Sequence, residues 1–156
     1  MTKVVVPLDG SKLAEAALDK ALALMGGSEA TLILVRVVES IALPSGEADE
    51  PDDAAVQEAE RYLSGVAART GSERVRVAKA IWYGSPARAI IEAAELMDAD
   101  LIVMSTHGRS GVSRWMMGSV AESVLHGTAR PILLVRAPGA PLAGPPDSQR
   151  ARPAVP

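Results

Sequence analysis

Val4-Val5-Val6-Pro7-Leu8-Asp9-Gly10-Ser11 passes within eight residues from a β-branched run, through a turn built on Asp-Gly, to a helix N-cap. Beyond it Ala14, Ala17, Leu18, Ala21, Leu22, Leu24 and Met25 recur at three- and four-residue spacing until Gly26-Gly27 stops the helix. A strand that turns at once into an amphipathic helix is the first half of a βαβ unit. The continuous apolar runs Thr31-Leu32-Ile33-Leu34-Val35, Leu101-Ile102-Val103-Met104 and Ile132-Leu133-Leu134-Val135 suit strands buried on both faces of a parallel sheet. Val75 to Trp82 alternates instead, which predicts a half-exposed edge strand. Further helices are predicted over about 52–70, with Ala55, Ala59, Tyr62, Leu63 and Val66 on one face, and from Ser85-Pro86, with Ile90, Ile91, Ala94 and Met97. A last helix starts at Ser119, where Ser119-Val120-Ala121-Glu122 reads as a capping box ahead of Val124 and Leu125. The order β-α-β-α-β-α-β-α-β predicts an α/β fold, a doubly wound open five-stranded parallel sheet with helices on both faces.

Composition narrows the chemistry. The 156 residues are 48% hydrophobic and 22% charged with a net charge of −3, as expected of one globular domain. A chain of this length buries roughly two-thirds of the surface it exposes when unfolded. The absence of cysteine excludes disulfides, thiol catalysis and thiolate metal sites. His107 and His126, nineteen positions apart, make no ligand set of the HExxH kind, which argues against a metalloenzyme. Residues 1–137 carry 14 Lys and Arg against 18 Asp and Glu with no basic stripe, so nucleic acid is not an expected partner. No apolar run suits a signal-peptide core or a membrane span, and the expected address is the cytoplasm. Ser40 to Asp53, with five acids and no base, predicts a mobile acidic loop, either a lid or a plain connection. Pro138 to Pro156 holds six of the eleven prolines and predicts a disordered tail, leaving 1–137 as the folded domain.

Ligands of open α/β sheets bind beyond the carboxyl ends of the strands, where strand order reverses. Asp9 stands at one such end, where it either binds a ligand or bonds its own turn. Ser105-Thr106-His107-Gly108-Arg109-Ser110-Gly111 follows the fourth strand, and Gly118-Ser119 opens the last helix with nine residues between Gly108 and Gly118. Glycines admit a ligand close to the backbone, and a helix N-terminus attracts anions, so these two turns predict a phosphate site. The site is neither a P-loop, a GxSxG elbow nor a GxGxxG fingerprint, since none of these occurs in the sequence. His107 is read as a hydrogen-bonding or surface group rather than a base, and Trp115, Met116 and Met117 as packing or partner contacts.

Val4 to Ser11, Met104 to Gly111, Gly118-Ser119-Val120-Ala121-Glu122 and Arg130-Pro131-Ile132-Leu133-Leu134-Val135 together resemble a single-domain universal stress protein, over nearly all of residues 1–137. In that family Gly-x-x-Gly-(nine residues)-Gly-Ser/Thr marks ATP-binding members. Here the pattern lands on Ser105, Gly108, Gly118 and Ser119, and serine in the first place gives up free access to positive φ. The resemblance implies a Rossmann-like, adenine-nucleotide alpha-hydrolase-like fold that binds ATP with magnesium at the carboxyl ends of strands one and four. It puts Pro7, Leu8, Met104 and Ser105 in the site, Asp9 at the ribose or base end and the backbone of Val37 at the adenine. Gly108, Arg109, Gly118, Ser119 and Val120 would hold the phosphates. It also implies a homodimer paired through Ile132 to Val135. A stress-response regulatory module with little or no turnover is the first reading. A slow ATPase, and a dimeric interaction protein that no longer binds nucleotide, are the alternatives.

Overall fold

The computed structural model describes residues 1–39, 52–107 and 117–136. Five strands alternate with four helices: β1 (Thr2–Pro7), α1 (Lys12–Met25), β2 (Ala30–Val38), α2 (Asp53–Thr70), β3 (Val75–Tyr83), α3 (Pro86–Leu96), β4 (Leu101–Ser105), α4 (Ser119–Gly127) and β5 (Ile132–Val135). All pairings are parallel and the strand order is β3-β2-β1-β4-β5. The doubly wound open sheet is therefore as predicted, with β3 at one edge and no fully buried residue in it.

Strand alternation sorts the core into two layers. Val4, Val6, Leu32, Leu34 and Val103 pack against α1 and α2, where Ala17, Leu18, Leu63 and Val66 are buried. Val5, Ile33, Val35, Ile102 and Met104 face α3 and α4, with Ile90, Ala93, Ala94, Ala121 and Val124. The sheet is wound outward from β1 in both directions, and right-handed crossovers put the two helix pairs on opposite faces. The switch point lies between β1 and β4.

Several helix ends follow the sequence signals closely. Ser11 Oγ accepts the Ala14 amide at 3.1 Å, and Gly26 takes the left-handed conformation (φ 43°) that ends α1. Two expectations need correction. Asp52 and Asp53 belong to α2, Asp52 as the N-cap whose Oδ1 accepts the Ala54 amide, because a carboxylate there satisfies an orphan N–H. The rest of the acidic stretch lies outside the described residues, as do Trp115, Met116 and the proline-rich tail. In α4 the N-cap is Gly118, one residue before Ser119, so the Ser119–Glu122 capping box does not form. Glu122 instead donates its amide to Gly118 O at 3.0 Å, as an ordinary helix residue.

Candidate functional site

A cleft of about 260 Å³ opens at the switch point, near the lower end of the range for small-molecule sites. Pro7 explains the opening. The Leu8 amide bonds Val35 O across β1–β2, while Lys3 O accepts the Asp100 amide on the other side. By this alternation the odd residues of β1 turn their backbone groups toward β4, and Pro7 has no N–H to offer there. Pairing of β1 with β2 accordingly runs to Pro7↔Val35, whereas pairing with β4 is registered only at Val4↔Leu101 and Val5↔Ile102.

The β1–α1 turn forms one wall. Asp9 Oδ1 accepts the Ser11 amide at 2.9 Å, so the local bond predicted as an alternative to ligand binding is present, and it leaves the carboxylate on the cleft. Gly10 has φ +87°, which an L-residue rarely adopts, so the glycine is required by conformation.

The β4 end and α4 form the opposite wall. Ser105 Oγ donates to His107 O at 2.6 Å, and Thr106 Oγ1 and His107 Nδ1 share a hydrogen bond at 3.1 Å. Ser105 closes β4 with negative φ, since Asp98 is the one described residue other than glycine with positive φ. The conformational freedom that serine gives up is thus not used here. Gly118 is needed for space: a Cβ would lie 2.9 Å from Thr106 O, the carbonyl that accepts the Gly118 amide at 2.7 Å. Among the described residues no side chain caps α4, and the Ser119 hydroxyl, exposed at the first helical position, lines the cleft.

Pro7, Leu8, Asp9, Val37, Met104, Ser105, Gly118, Ser119 and Val120 all line this one cleft. Gly108 and Arg109 lie outside the described residues. Thr106 and His107 of the predicted turn line the cleft too, as do Arg36 and Glu39 at the end of β2 and Pro86 and Ile90 of α3, which carry no site role in the sequence. Arg36 carried a signal, as the lone charge in the apolar run Leu32 to Val38. Pro86 and Ile90 carried none, because an apolar residue on a helix looks the same whether it meets core or ligand.

A universal stress protein of Methanocaldococcus jannaschii, MJ0531, is 32% identical over 140 residues, covering 87% of this chain and 82% of the relative. The solved structure of the hypothetical protein MJ0577 matches with a TM-score of 0.75 at 25% identity, over 87% of this chain and 96% of its own. A universal stress protein solved in complex with cAMP matches with a TM-score of 0.62 at 26% identity, over 86% and 96%. Residues 1–136 match the universal stress protein family as a whole, and the chain belongs to that family.

Proposed function

We propose that the chain is a stress-response regulatory module that binds ATP in the cleft between β1 and β4, with little or no hydrolysis. One observation carries the reading: a carboxylate from the β1 end, an apolar floor and an uncapped helix N-terminus converge on one cleft at the switch point. Val37, Ile90 and Met104 offer apolar surface to a purine. The Val37 backbone, at the end of a strand, can exchange hydrogen bonds with the adenine edge. Asp9 suits a ribose hydroxyl, which donates to a carboxylate at close to full strength. The amides of Ser119 and Val120 at the start of α4 suit phosphate oxygens, with Gly108 and Arg109 completing that end as the family pattern implies. The relative solved with cAMP supports an adenine nucleotide in this fold.

Magnesium fits as a companion of the nucleotide. Among the described residues no three His, Cys, Asp or Glu side chains are grouped to hold a metal ion. A magnesium ion would then be held largely by phosphate oxygens and water, as is usual for it. Turnover is expected to be slow, since the sequence has no P-loop lysine and His107 is tied to Thr106. We further propose a homodimer paired through β5, the second edge of the sheet.

Calorimetric titration of ATP with magnesium into the full chain should give a dissociation constant of roughly micromolar order. Absence of heat and of co-purified nucleotide would favour the interaction-protein reading. Steady phosphate release at many turnovers per minute would favour the ATPase.

A further inference from the structure

Arg36 is the one charged side chain that β2 contributes to the face packed against α1 and α2. It follows Leu32 and Leu34, which are buried there. Its Nη1 donates to Leu8 O at 3.3 Å, and its guanidinium carbon lies 5.7 Å from the centroid of the Tyr62 ring. Tyr62 is held in turn: its hydroxyl donates to Glu15 Oε1 at 3.0 Å, and Arg69 pairs with Glu15 Oε2 at 2.6 Å. The Leu8 amide is bonded to Val35 O at 2.8 Å. Both polar backbone atoms of Leu8 are therefore clamped by consecutive residues of β2, and Asp9 is the next residue. The guanidinium also lies under the turn itself, 3.7 Å from where a Cβ on Gly10 would stand.

We infer that Arg36 is a positioning residue for nucleotide binding, fixing the β1–α1 turn that carries Asp9 at the wall of the cleft, with Tyr62 of α2 holding Arg36 in place. The inference rests on the nucleotide reading above. Nothing else among the described contacts pins Leu8 O, and a turn free to swing would have to be ordered by the ligand at a loss of affinity. Lysine can serve in part, because a single bond to Leu8 O and a cation over the ring need no bidentate fork.

The test combines ATP–magnesium calorimetry with amide exchange on the full chain. Arg36→Met should weaken ATP binding about five- to tenfold, the scale of one hydrogen bond, and Arg36→Lys should recover most of it. In an Asp9→Ala background, Arg36→Met should bring no further loss, because the group it positions is gone. An equal loss in both backgrounds would overturn the role. Arg36→Gln replaces the methionine variant should circular dichroism show the latter unfolded. Separately from any ligand, the Ser11 amide, protected by Asp9 Oδ1, should exchange faster in Arg36→Met. Unchanged exchange in a chain that binds ATP overturns the positioning role alone. Failure of the unaltered chain to bind ATP overturns the nucleotide reading and this role with it.

Discussion

Asp9 Oδ1 already accepts the Ser11 amide, so its replacement has two separable effects. Asp9→Asn keeps an acceptor for the turn but removes the charge, whereas Asp9→Ala removes both. Loss of one charge-assisted bond to the ribose should cost about 1.5–3 kcal/mol, or roughly ten- to a hundredfold in ATP affinity for Asp9→Ala. Calorimetry on both variants should rank asparagine between wild type and alanine. At Gly118 the structure changes what a substitution tests. Even alanine would meet Thr106 O at 2.9 Å, so the N-terminus of α4 must shift before any ligand is considered. Gly118→Ala should lower stability by about 1–3 kcal/mol in urea unfolding and weaken ATP binding together. The sequence made the Asp9-Gly10 turn legible because few residue types tolerate the positive φ that Gly10 adopts. It did not show that Ser119 leaves the cap to Gly118, because a cap depends on where the chain enters the helix and not on the S-x-x-E spacing alone.

Pro7 acts on a whole strand pair. Replacing it with valine restores an N–H on the side facing β4, which should let the ladder run on past Val5↔Ile102 and narrow the cleft. Pro7→Val should therefore weaken ATP binding while leaving the unfolding midpoint unchanged or slightly raised, as read by calorimetry and thermal denaturation. Tyr62 joins α2 to α1 through Glu15, and its burial, reinforced by that hydrogen bond, holds its hydroxyl above the ordinary tyrosine range. The sign follows from proton binding. Above about pH 10 the unfolded chain gives up this proton first, so stability present below that pH is lost as the pH rises. Urea midpoints between pH 9 and 11 should fall less steeply for Tyr62→Phe than for wild type. At this scale helix and strand existence was readable from hydrophobic period, continuous apolar runs and the cap and stop residues that bound them. The end of β2 was not, since Arg36 interrupts an apolar run and only the fold reveals what it is bonded to.

The sheet has two edges, and they differ in kind. β3 presents Arg76 and Lys79 exposed, whereas β5 is the short aliphatic Ile132–Val135 with three half-buried positions. An aliphatic edge invites a second copy, and a charged one discourages it. Light scattering at micromolar concentration should find a dimer, and Leu133→Glu should shift it toward monomer. The order of strands has one more consequence, for synthesis. The central strand is made first, yet its partner on one side arrives only with β4, and the Lys3 amide waits for the Asp100 carboxylate, 97 residues later. Until then half the flank of β1 has nothing to bond. A chain emerging from the ribosome therefore cannot settle its core piece by piece, and its folding should be slow for its size, because loop closure must precede the pairing that rewards it.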